Sequence, residues 1–185
     1  MAGPDRIEGC AIVSSDGMLA DARGIQPDAL KPEADQRQFH ATLERADAVA
    51  HGRNSSEGGP AEAGRKRLIL TRRIAAVAPH PDNPLAVLWN PNGATLETAW
   101  TALGLSGGML IVVGGTEPFG LFLPRFDSFD LTRAPKVSLP GGRPVFPSVP
   151  DQTPERILQA AGLSPSPEQI LDPADGITLV RWHRR

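Results

Sequence analysis

Four places in the sequence carry residue types that could do chemistry. Asp35 lies four residues before Phe39, and Phe39, Leu43 and Ala46 mark the apolar stripe of a helix predicted over residues 33–45. At that spacing Asp35 falls on the stripe rather than on the outer face. A carboxylate on an apolar face needs a partner, which makes Asp35 a candidate acid. In the other reading it belongs to the first turn and serves the helix dipole; spacing leaves both open. Gly114-Gly115 follow the apolar run 109–113 (MLIVV) and precede Thr116-Glu117-Pro118. Thr can cap a helix and Pro suits its first turn. Strand, glycine pair and helix start form a phosphate cradle, because a backbone without Cβ atoms lets an anion approach unpaired N–H groups. A plain strand-to-helix turn uses the same parts, and a glycine motif alone is weak. The other two places are strand ends with cations. Residues 46–50 (ADAVA) run into His51-Gly52-Arg53-Asn54-Ser55, and 68–70 (LIL) into Thr71-Arg72-Arg73. The planar fork of arginine matches a phosphate; the alternative at both is a solvated surface arginine.

These places need elements to hold them. Residues 9–14 (GCAIVS) read as a first strand, followed by turn chemistry at Ser15-Asp16-Gly17 and apolar Met18-Leu19-Ala20. Residues 22–32 are loop-like, and Pro32 opens the Asp35 helix. Residues 55–64 (SSEGGPAEAG) have the composition of a mobile loop. A Pro-rich turn is predicted at 79–84, a strand at 85–89, and a short amphipathic helix through Leu96, Ala99, Trp100 and Leu103. After the glycine pair come a helix over 119–126, a strand over 128–133 and a tight loop at 139–144. Residues 153–161 form a helix with Thr153 as cap, Pro154 in its first turn and Gly162 as stop. Residues 164–173 read as loop, 176–182 as a terminal strand, and His183-Arg184-Arg185 as trailing into solvent. Short strands alternating with helices predict an α/β fold, a mostly parallel sheet covered on both faces.

Composition narrows the function classes. A chain of 185 residues favours one domain, 1–185, with a sizeable core. Net charge is −2 with no basic block, which argues against nucleic acid. No apolar run approaches a membrane span, and residues 1–9 lack the pattern of a signal peptide. Cys10 has no second cysteine to pair with. His40, His51, His80 and His183 show no metal-ligand spacing. A cytoplasmic, metal-free protein is the expectation.

Taken in order, these pieces resemble the dihydrofolate reductase fold family, including its relatives, the reductase domains of riboflavin biosynthesis. The likeness spans nearly the whole chain. Ala11-Ile12-Val13 with Asp16-Gly17 resembles the first strand and its turn. PEADQRQF (32–39) resembles the helix bearing the substrate-binding acid, at Asp35. Gly52-Arg53-Asn54-Ser55, Leu70-Thr71-Arg72 and Val113-Gly114-Gly115 resemble the three cofactor loops. The resemblance implies a three-layer sandwich with NADPH across the carboxyl ends of the strands, where open α/β sheets bind ligands. It implies that Ala11, Val113, Gly114, Gly115, Thr116 and Glu117 lie along the cofactor, the last four at its pyrophosphate. Gly52, Arg53, Asn54 and Ser55 would take the ribose-phosphate side, and Thr71 and Arg72 the 2′-phosphate. Asp35 would hold the substrate and assist proton delivery, with Phe39, Arg65 and Thr132 also on the substrate side. The chain departs from folate enzymes at Leu30, where they carry an aromatic residue, and from riboflavin-type enzymes at Val113, where they usually carry an acid. The substrate therefore stays open between a pyrimidine of the riboflavin type and a pterin, with a non-catalytic nucleotide-binding protein as the reading from another class. Family habit implies a homodimer.

Overall fold

A computed structural model describes residues 2–55 and 62–185. Its first strand, β1 (Arg6–Ser14), is buried along nearly its whole length, as a strand covered on both faces must be. Strand alternation sorts its side chains. Ile7 and Val13 enter the largest hydrophobic core, while Cys10 and Ile12 enter smaller clusters on the opposite face. After β1 come β2 (Met18–Ala20), α1 (Glu33–Glu44), β3 (Ala48–Gly52), β4 (Arg67–Leu70), β5 (Val77–His80) and β6 (Asn83–Trp89). Then follow α2 (Leu96–Ala102), β7 (Met109–Gly114), α3 (Thr116–Phe122), β8 (Ser128–Ala134), β9 (Arg143–Pro144), α4 (Pro154–Ala160), β10 (Leu163–Pro165), β11 (Gln169–Asp172) and β12 (Ile177–Arg184).

One ten-stranded sheet runs β10-β12-β8-β1-β7-β3-β4-β6-β5, with β11 also paired to β12. The run from β8 to β6 is parallel throughout. β12 closes against β8 and β5 against β6, both antiparallel. This is the predicted α/β class. On one face α1 packs Phe39 and Leu43 against Val49 and Ile111. On the other, α2, α3 and α4 bring Trp100, Phe119, Phe122, Ile157 and Leu158 into the main core. At its centre the ring of Phe129 meets Phe119 and Phe126 edge-on, at 5.2 Å each, a favoured aromatic geometry. Gly9 makes room for it: a Cβ there would sit 2.4 Å from the Phe129 ring.

Several expectations need correction. Residues 164–173 are not a loop, because β10 and β11 lie in them and pair with β12. Prolines at 165, 167 and 173 gave a loop signal, and edge positions tolerate proline. His183 and Arg184 do not trail into solvent. His183 pairs with Ser128 across the sheet, and Arg184 donates to the carbonyls of Ala161 at 2.7 Å and Phe126 at 3.0 Å. The turn predicted at 79–84 shrinks to Pro81-Asp82, since His80 already pairs with Asn83. The helix expected to start at Thr116-Glu117-Pro118 does start at Thr116, though Gly115 rather than Thr116 is its cap, and it ends at Phe122 instead of running on to 126, passing into a 3-10 turn at Leu123–Arg125 that holds Pro124. The loop at 139–144 contains β9, which pairs with β2 in a separate ribbon. Of the segment predicted to be mobile, residues 56–61 lie outside the described residues, and Glu62–Gly64 form a 3-10 turn.

Candidate functional site

Two clefts open at the carboxyl ends of the parallel strands. The larger has a volume of about 820 Å³. β3 delivers Gly52, Arg53, Asn54 and Ser55 to it, β4 delivers Thr71, Arg72 and Arg73, and the start of α3 delivers Gly115, Thr116 and Glu117. The smaller, of about 570 Å³, lies between α1 and the sheet. It is lined by Ala11, Asp35, Phe39, Val113 and Thr132, with Cys10 and Asp130. Leu19, Ala20, Gly24, Asn54, Ser55 and Gly115 line both. The clefts are therefore two ends of one groove, with a shared waist at Gly115 and Ser55. A Cβ on Gly115 would stand 3.3 Å from the Ser55 Oγ and narrow that waist.

The fold thus gathers almost all the residues predicted to form a site. Gly114 is buried behind the turn; its φ of +115° is a conformation that suits glycine. Arg65 is not brought to either cleft. Its guanidinium donates to the Leu43 carbonyl at 2.9 Å, at the end of α1, because the turn before β4 leaves it alongside that helix. Glu117, grouped by resemblance with the phosphate-facing residues, turns its carboxylate to the Arg72 guanidinium. The Thr116 hydroxyl donates to the Pro144 carbonyl, tying α3 to β9.

The two ends differ in electrostatics. Among the described residues, the larger cleft is lined by Arg23, Arg53, Arg72, Arg73 and Arg143 against one acid, Glu117, in a chain whose net charge is −2. Among the described residues Arg53, Arg73 and Arg143 make no ion pair. Such a concentration of forked cations suits a ligand with several phosphate charges. The smaller cleft is quieter. Asp35 is only 7% exposed, and burial pushes its carboxyl up to about 6, against the Thr132 hydroxyl, which favours the ionised form. A carboxyl poised there can hold or release a proton near neutral pH.

Sequence reasoning missed Arg23, Arg143 and Asp130. Asp130 alternates with Ser128 and Thr132 along β8, so period two alone puts it on the face of Thr132. Arg23 and Arg143 come from segments distant in sequence that the β2–β9 ribbon brings together, and no local signal announces that pairing.

No protein-family model matches the sequence, and no curated protein matches it. Solved structures do. One, described as a riboflavin biosynthesis protein from Shewanella sp. PV-4, superposes with a TM-score of 0.65 at 21% identity, over 97% of this chain and 99% of that one. The diaminohydroxyphosphoribosylaminopyrimidine deaminase/5-amino-6-(5-phosphoribosylamino)uracil reductase of Thermotoga maritima gives 0.63 at 17% identity, over 99% of this chain and 57% of that one. Dihydrofolate reductase from Enterococcus faecalis, complexed with NADP(H) and RAB-propyl, gives 0.61 at 12% identity, over 100% of this chain and 99% of that one. At such identities the matches speak for a shared fold.

Proposed function

We propose that this chain, which has the dihydrofolate-reductase fold, is an NADPH-dependent reductase of a nitrogen heterocycle, with a pyrimidine of the riboflavin-biosynthesis type as the preferred substrate class. The observation that carries this reading is the single groove joining an arginine-lined cleft to a buried carboxyl across a waist at Gly115. A dinucleotide needs the first; a heterocycle with an N–H edge needs the second. The residues fit the cofactor. Gly52 and Gly115 leave open backbone where the two loops approach each other, with a Cβ on Gly52 falling 3.8 Å from the Gly115 nitrogen. Arg53, Arg72 and Arg73 supply forks for phosphate oxygens. When bound, the nicotinamide supplies the hydride.

The chain's own residues do the rest. Val113, Ala11 and Gly115 wall the place where the two ligands meet. Asp35 grips the heterocycle edge and holds a proton beside it, while Thr132 stabilises the charged form once the proton has left. Fixing both reactants in one groove supplies orientation that solution does not. Arg65 favours the pyrimidine over the folate reading: by resemblance it would anchor a glutamate tail, and it is engaged with the Leu43 carbonyl instead.

The test is NADPH consumption with a panel of phosphoribosylated aminopyrimidinones and dihydropterins, by wild type and Asp35→Asn. Asp35→Asn is expected to keep NADPH affinity and lose turnover, together with the inflection near pH 6 that the wild-type rate should show. Unchanged turnover in the variant would refute the role of Asp35. Binding of NADPH without turnover of any heterocycle would favour the non-catalytic reading.

A further inference from the structure

We infer that Asp130 is a second substrate-facing carboxyl, set one pleat deeper than Asp35, and that it accepts an N–H group of an amino-substituted heterocycle. The inference rests on the reading that the Asp35 cleft takes such a ring. β8 presents Ser128, Asp130 and Thr132 on one face. Thr132 lies beside Asp35, and Asp130 sits opposite Cys10 in the sheet register. Both aspartates and Cys10 line the same cleft.

Asp130 is 6% exposed. Its Oδ2 accepts from Arg181 at 3.3 Å. That guanidinium is shared, since its other nitrogen donates to Glu8 at 2.8 Å and to the Ser128 hydroxyl at 2.9 Å. Glu8, by contrast, is also served by Arg6 and Arg45. The Oδ1 of Asp130 accepts no hydrogen bond from any described residue. A buried carboxylate oxygen without a donor is a rare and costly arrangement. Burial accordingly pushes the Asp130 carboxyl above its ordinary range, with Arg181 pulling the other way. A buried acceptor without a partner, on a residue that lines a cleft already holding one acid, matches a ring carrying N–H donors at two separated positions. Asp35 takes the outer edge of such a ring and Asp130 its inner amino group.

Calorimetry of two probes, 2-aminopyrimidine and 2,4-diaminopyrimidine, tests this on wild type, Asp35→Asn and Asp130→Asn. The monoamine keeps one amidine edge, and the diamine adds the second donor. Asp130→Asn is expected to weaken the diamine by about tenfold or more and to leave the monoamine unchanged, while Asp35→Asn weakens both. Where Asp130→Asn does not fold, Asp130→Leu decides, because an apolar group of similar volume removes the open acceptor while Arg181 keeps Glu8 and Ser128. Equal affinity of the diamine for wild type and the Asp130 variants overturns the inference, and if Asp35→Asn still weakens both probes the wider reading survives. Failure of both aspartate variants to change either affinity overturns the two together. Failure of the wild type to bind the diamine also overturns the inference.

Discussion

Asp35 is the residue on which the proposed chemistry turns, and its environment makes a prediction that needs no substrate. Its carboxyl has an ordinary value of 3.8 and rises to about 6 in the folded chain. The folded state therefore holds this proton more tightly than the unfolded state. As pH climbs from about 4 through 6 the fold gives up stability at this site, and above that range the full penalty remains. Asp35→Asn removes the penalty. Relative to wild type it should gain about 1–3 kcal/mol between pH 4 and pH 7.5 in urea unfolding. An acid that merely served its helix would show the opposite, a loss at pH 7.5. Arg72 and Glu117 make a second prediction. Both are mostly exposed, at 73% and 70%, so their ion pair is weak in water and a 2′-phosphate can replace the carboxylate. Arg72→Ala should lower NADPH affinity by about tenfold and leave NADH nearly unchanged. Glu117→Gln should raise NADPH affinity, and equal losses for both cofactors in Arg72→Ala would refute the assignment. These residues were legible in the sequence because their signals are local: a helical stripe for Asp35, strand ends for Arg53 and Arg72. Arg143 was not, since only its distant partner strand brings it to the cleft.

At the scale of elements, two substitutions probe how the site is held. Gly9→Ala sets a Cβ against Phe129 and within 2.9 Å of Phe126, and both rings are fully buried. They have nowhere to move, so the cost should be about 1–3 kcal/mol, read from the unfolding midpoint. The milder case is α4. Thr153 caps it by accepting from the Arg156 N–H, and Pro154 fills its first turn. Thr153→Ala should cost about 1 kcal/mol and leave NADPH affinity unchanged. That helix was readable in full, because cap, proline and stop glycine all sit within a few residues of each other. β5, β10 and β11 were not. Each is short, β5 and β10 carry a proline and β11 is followed by one, and each becomes a strand only by leaning on β6 or β12. Tertiary pairing overrode the local turn chemistry there.

At the scale of the whole molecule, the proposed ligand should act through the sheet. Three loops of the proposed cofactor site follow β3, β4 and β7, which are neighbours in the parallel core. NADPH at about a hundred times its dissociation constant should therefore raise stability by about 2.7 kcal/mol. The shift should appear equally in tryptophan fluorescence and in far-ultraviolet circular dichroism; a shift in only one would mean that the site loops melt apart from the core. Strand order was the least legible feature, since nothing local in β1 says that it will lie between β7 and β8. That placement has a consequence for how the chain reaches its shape. Glu8 pairs across the sheet with Ser128, and besides Arg6 and Arg45 its carboxylate takes Arg181, 173 positions away. Each such closure confines a long stretch of chain before any contact repays the lost freedom, and proteins dominated by distant pairings fold slowly. The first strand is thus an interior one in space and among the last to find its neighbours, and until then its two apolar faces and open backbone edges are available to other copies of the chain.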